Sequence, residues 1–462
     1  WFANASGLTW IDREHVLFSE IKKGIHMAIV TSTESRIESR DVYVPTSENG
    51  MAHRSYLSPD RRSVLTAEMD WALWLPCRLL PFDGSSAGKP VGPEGSRCTS
   101  AAWSPDGRWM YLTVEVGDGF HIWRQRFPDG KPEQVTSGAT EEDGVAMAPD
   151  GRSFVTSVGT VQSSVWMHDE RGEHQLSFEG YSSFGWPGPS RSYLSADGRK
   201  LYYLSRQQGA TLDNRELWSV DTVAKATERL LPEFTMIDFD VSADGKSVVF
   251  TTRAPDGKYE IWLASLERRS LPRRLSVSSS PERRPVFGPA GDIFFMILEP
   301  AKGAVYRMKE DGTEVQRVRP DAGDVVLRSV SPDGGWVALS FNIDVGTWGR
   351  TDAYPIQGGS PVRVCEGCRS VNWSPDGRHL YVSFVGTGFS TDTGRTFALP
   401  IPMGRALPNL PAGGINSAEE AAALPGVRII PHGNISPGAD PSTYAYTKMT
   451  AQRNLYRVPI TD

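Results

Sequence analysis

The chain has 462 residues, with 49 basic and 55 acidic side chains, a net charge of −6, 39% hydrophobic and 10% aromatic residues. That composition supports a sizeable core and excludes a disordered chain, while the interspersed charges argue against a nucleic-acid module. No apolar run reaches the roughly 18 residues that a membrane-spanning helix needs, and a start at Trp1 without a signal-peptide pattern suggests a fragment or a mature chain.

Read from the N-terminus, one phrase recurs. Ser58-Pro59-Asp60-Arg61 is followed by Ser104-Pro105-Asp106-Gly107-Arg108, Ala148-Pro149-Asp150-Gly151-Arg152, Ser195-Ala196-Asp197-Gly198-Arg199 and Ser242-Ala243-Asp244-Gly245-Lys246. A worn copy, Gly288-Pro289-Ala290-Gly291-Asp292, precedes Ser331-Pro332-Asp333-Gly334 and Ser374-Pro375-Asp376-Gly377-Arg378. Ser436-Pro437-Gly438-Ala439-Asp440 is a stretched copy, and Trp10-Ile11-Asp12-Arg13 opens a unit that lacks the Pro and Gly. A period of about 45 residues with β texture is the signature of propeller blades.

Each unit predicts four antiparallel strands. In one, Ala101-Ala102-Trp103 runs into the Pro-Asp-Gly turn, where Pro presets φ, Asp bonds local backbone and Gly takes positive φ. Trp109 to Val114, Phe120 to Arg126 and Glu133 to Thr136 then follow as strands separated by Gly-rich turns. A single such sheet cannot cover both faces and must stack on its neighbours. Trp123, Trp218 and Trp262 recur in the third strands and are expected to wedge between blades. In the last unit, Thr443 to Thr447 is expected to pair with Asn454 to Val458 as a hairpin. The only helical pattern, Ser417 to Leu424, has a Ser cap, Glu419 and Glu420 in its first turn and Pro425 beyond, inside an insert over residues 400–428.

The fold class is therefore all-β, a β-propeller of four-stranded antiparallel blades with about ten units of about 46 residues. Propellers usually have about four to eight blades, so ten suggests a C-terminal ring of seven or eight blades over residues 98–462. Residues 1–97 would then be blades of a preceding, truncated ring. The last unit ends after its third strand, and its fourth is expected from a segment ahead of the first blade.

The four cysteines are Cys77, Cys98, Cys365 and Cys368. Cys365-Glu366-Gly367-Cys368 has C-x-x-C spacing but no second pair for zinc and no helix for thioredoxin-type redox chemistry. It reads first as a plain turn or free thiols, with a local disulfide as the alternative. Gly84-Ser85-Ser86-Ala87-Gly88 matches G-x-S-x-G, but in a turn and not at a strand-to-helix elbow. The repeated Asp residues read as turn caps and not as metal ligands, and the eight His residues show no ligand spacing. No cofactor or metal is expected.

The distinctive residues lie between second and third strands. Asp70-Trp71-Ala72-Leu73-Trp74, Arg206 to Arg215 with Asp213, and Asp344 to Arg350 with Trp348 combine acids, Trp and Arg. Trp and Arg anchor interfaces, so Asp70, Trp71, Trp74, Arg206, Asp213, Arg215, Asp344, Trp348 and Arg350 are the candidate binding residues on one face. The competing reading of each Trp is inter-blade packing.

The phrase in Trp103-Ser104-Pro105-Asp106-Gly107-Arg108 resembles the TolB-type, WD-repeat-like propeller repeats of bacteria. Phe120 to Gly130 and Gln452 to Pro459 further resemble the C-terminal propeller region of bacterial transmembrane serine/threonine kinases. That resemblance implies a sensor or interaction role on the extracytoplasmic side, although no kinase motif occurs in this chain. The expectation is a non-catalytic module, monomeric as a fragment, for a protein, peptide or small-molecule ligand and not for nucleic acid. A secreted TolB-like scaffold and a channel-site enzyme of the lactonase or lyase type are the alternatives.

Overall fold

The computed structural model describes residues 5–460 except 24–25, 34, 36–37, 48–49, 71–72, 118, 178–191, 207–214, 300–301, 319–324, 342–348, 386–393 and 434. Among the described residues the strands form eight sheets: one of nine strands over the first two repeat units, six of four strands, and one of five strands that joins the fourth unit to the last; antiparallel pairing dominates throughout. The unit with strands Arg97–Trp103, Trp109–Glu115, Phe120–Arg126 and Pro132–Gln134 has the expected order and register.

The repeated turn acts as a small hydrogen-bonded lock. Ser104 Oγ donates to Asp106 Oδ1 at 2.6 Å, and the Arg108 amide donates to the same oxygen at 3.0 Å. The Trp109 amide donates to Ser104 Oγ at 2.9 Å, and Gly107 sits at φ 70°, a value that favours glycine. The same lock recurs at Asp60, Asp197, Asp244, Asp333 and Asp376. These carboxylates therefore cap their own turns, as the sequence suggests.

Apolar seams join consecutive units, and they close on themselves. Tyr202 and Leu217 pack with Phe239 and Phe250; Val249 and Ile261 with Ile293 and Phe295; Phe294 and Val305 with Val325 and Leu339. Ala353 and Val364 then meet Val371 and Phe397; Tyr381 and Ala398 meet Ile435 and Tyr446; Ala445, Val165 and Met167 return to Leu194 and Leu201. These seams link six of the repeat units. The first four units pack in series outside them, through Leu17 with Val64, Leu65 with Leu112, and Tyr111 with Phe154.

The circuit closes by strand exchange. Ser153–Asp169 and Tyr444–Pro459 are each one continuous strand, and they pair from Ser153↔Pro459 to His168↔Tyr444. The expected hairpin between Thr443–Thr447 and Asn454–Val458 therefore does not form. Nor does the missing strand come from ahead of the first blade: the last unit takes its third strand from the far half of Ser153–Asp169 and its fourth from Gly172–Gln175. In return, the end of the chain supplies the third strand of the fourth unit. The physical reason is local. Gly159-Thr160-Val161-Gln162-Ser163 and Lys448-Met449-Thr450-Ala451-Gln452 contain no turn-forming pair, so neither strand reverses.

The cysteines also require correction. Cys77 pairs with Cys98 and Cys365 with Cys368 in disulfides, so the free-thiol reading is wrong. Cys77 and Cys98 face each other across the seam between the second and third units with Cα atoms 5.1 Å apart, a juxtaposition that sequence spacing does not reveal. This bond spans the division placed between residues 97 and 98. The helix forms over Ala418–Ala422 with Ser417 as its cap, and the insert packs on the Cys365–Cys368 region, where Trp373 Nε1 donates to the Ala406 carbonyl at 2.7 Å. Among the described residues no helix is long and apolar enough to cross a membrane.

Candidate functional site

Trp71, Asp213, Asp344 and Trp348 lie outside the described residues. The remaining candidates flank second-to-third-strand connections, as expected, but most already have partners within the fold. Asp70 ends its strand and accepts a hydrogen bond from Ser47 Oγ at 3.1 Å. Arg206 and Arg215 are register partners, and the Arg215 guanidinium donates to the Ile237 carbonyl. Arg350 lies 4.8 Å over the Phe341 ring, 3.2 Å from Asp352. Trp74 packs against buried methionines and meets His53 edge-on.

A cleft that the sequence reading missed lies where the ninth and tenth units meet. It measures about 260 Å³ and is lined by His168, Glu173, Arg428, Ile430, Pro441 and Tyr444, together with Ile429 and Pro431. One wall is Arg428–Ile430, the outermost strand of the ninth unit, paired on one side with Gly394–Pro400. Its other edge carries no strand among the described residues. The opposite wall comes from the exchanged segment, with His168 at the end of the long strand and Glu173 in the short strand after it.

Aromatic stacking and hydrogen bonds fix these side chains. The His168 ring lies parallel to Tyr444, centroids 4.8 Å apart, and its Nδ1 donates to the Ser442 carbonyl at 2.9 Å. His432 stacks on Tyr446 at 3.6 Å and bonds Glu173 Oε1 through Nε2 at 2.8 Å. That hydrogen bond holds the Glu173 carboxyl below its ordinary range, despite partial burial. Burial, reinforced by the Glu173 charge, pushes the Tyr444 phenol up to about 12 and raises the Tyr446 phenol too. Both phenols therefore stay protonated donors at neutral pH. Arg428 is half exposed, 3.9 Å from Asp440, which Ser442 holds in a turn and whose pKa that contact lowers.

The cleft thus offers a guanidinium, a carboxylate and a stacked ring pair beside an open strand edge. Its residues come from three separate stretches, so no local motif signals it; the one clue is the absence of turn residues where both long strands should have reversed. Among the described residues no group of three or more His, Cys, Asp or Glu side chains is arranged to hold a metal.

No family model matches the chain. No curated protein matches it either. Among solved structures it is similar to TolB from Acinetobacter baumannii, at 15% identity over 62% of this chain and 75% of that one, with a TM-score of 0.39. It is also similar to the tricorn protease, at 10% identity over 97% of this chain and 44% of that one, with a TM-score of 0.39. A third is an oligogalacturonate lyase in complex with manganese, at 11% identity over 75% of this chain and 80% of that one, with a TM-score of 0.34. These similarities concern the fold and not an activity.

Proposed function

We propose that this chain is a non-catalytic binding propeller that seats a short extended peptide in the cleft between its ninth and tenth units. One observation carries the reading: the edge of Arg428–Ile430 that carries no strand among the described residues opens on a cleft whose other wall bears His168, Glu173 and Tyr444. An extended peptide that adds to a strand edge gains main-chain hydrogen bonds, and flanking side chains choose its sequence. Arg428 favours an acidic group on the peptide and Glu173 a basic one. The two disulfides support placement in an oxidising, extracytoplasmic compartment. The resemblance to kinase-linked propellers supports a sensor role within a larger signalling protein. The strand ends at Asp70, Arg206 and Arg350 remain part of the proposal as further contact points.

The test is selection of phage-displayed random peptides on the immobilised chain, followed by affinity measurement with synthetic copies. Arg428→Ala and His168→Ala should each weaken binding about tenfold, or ~1.4 kcal/mol, while circular dichroism stays unchanged. Selected peptides that bind both variants as they bind the unaltered chain would overturn the reading.

A further inference from the structure

The first and second units meet along a row of sulfur. Met27 is the parallel Cα partner of Met51, Met51 the antiparallel partner of Met69, and Met69 the partner of Trp74. Directly paired residues share one sheet face, with Cβ atoms about 5 Å apart. The three methionines are exposed by only 4%, 1% and 3% and form one contact cluster, against which Trp74 and Ile21 pack. His53, the extra residue of a bulge between Ala52 and Arg54, sets its ring edge-on to Trp74 with centroids 5.6 Å apart.

We propose that Met27, Met51 and Met69 form a site for a soft monovalent metal ion, Cu(I), with His53 as a further donor and Trp74 as its aromatic wall. Thioethers are soft ligands that select Cu(I) over the harder divalent ions. They carry no proton to lose, so an apolar, buried pocket does not weaken them as it would a thiolate. Three unbranched side chains from adjacent strands can turn their sulfurs to one point, and an indole face stabilises a cation beside it. The four cysteines are held in disulfides and do not compete. This site is independent of the peptide cleft.

The test titrates the full chain, disulfides intact, with Cu(I) under anaerobic conditions in ascorbate against the chromophoric chelator bicinchoninate. One Cu(I) per chain should be withdrawn from the chelator, and X-ray absorption of the loaded chain should show sulfur neighbours. The volume-conserving variant M27L/M51L/M69L should keep its circular dichroism and bind Cu(I) at least about tenfold more weakly. If that variant does not fold, Met51→Leu alone is read the same way. Failure to withdraw Cu(I), a spectrum with only nitrogen and oxygen neighbours, or undiminished binding by a folded variant would overturn the site.

Discussion

His168 and Tyr444 are Cα partners in one antiparallel ladder, and their rings stack within 1° of parallel. One comes from the middle of the chain and the other from near its end, so a wall of the cleft exists only when the two long strands hold their register. A slip by one residue would turn His168 to the opposite face. Strand exchange therefore connects ring closure to the binding site.

Removal of residues 451–462 tests the division of labour along that ladder. The deletion takes Val458 and Ile460 away from the seam with Tyr111 and Phe154 but leaves Tyr444 opposite His168. We expect a lower Tm and more dye-binding apolar surface, with affinity for the selected peptide retained. An unchanged Tm would contradict the assignment of this segment to the fourth unit.

The turn aspartates make stability acid-sensitive. Hydrogen bonds from the Ser104 hydroxyl and then the Arg108 amide hold Asp106 below its ordinary value of 3.8, and the matching bonds do the same for Asp60, Asp197 and Asp244. A lowered folded-state pKa contributes stability that is complete above the unfolded value and lost as pH falls through the folded one. Urea midpoints should therefore hold steady above about pH 5 and decline progressively below pH 4. Asp106→Ala should cost about 1 kcal/mol at pH 7 and flatten the acid decline slightly. A variant as stable as the parent at neutral pH would show that the lock contributes nothing.

Trp123, Trp218 and Trp262 stand at their seams as expected, each partly buried against a core cluster, and Trp262 packs on Phe234 at 5.2 Å. Truncation to Ala should cost about 3 kcal/mol at each position. Acrylamide that quenched all three as freely as an unfolded control would contradict their placement.

The Cys77–Cys98 bond closes a loop with a sequence separation of 21, against 3 for Cys365–Cys368. Longer loops lose more entropy on cross-linking, about 3 kcal/mol for one near this size. C77A/C98A should therefore lower Tm more than C365A/C368A. The reverse order in calorimetry would show that local packing outweighs the loop term.

The parts legible in the sequence were those built from local chemistry. The Ser-Pro-Asp-Gly lock is specified by four adjacent residues, and its spacing revealed the units. The Ser417 cap identified the helix for the same reason. What stayed hidden depends on partners far away in the chain: Ser153 against Pro459, Cys77 against Cys98, Arg428 across from Glu173. The surface loops drew attention because Trp71 and Trp348 are conspicuous residue types. His168 and Tyr444 are inconspicuous until the ladder brings them together.

In the proposed reading, the exchanged strands and the outer strand of the ninth unit build one binding cleft. Hydrogen exchange of the chain with and without a selected peptide decides whether they do. Joint protection is expected over residues 428–431 and 168–175. Protection confined to residues 350–353 and the strand ends at Asp70 and Arg206, with none in the cleft, would contradict it.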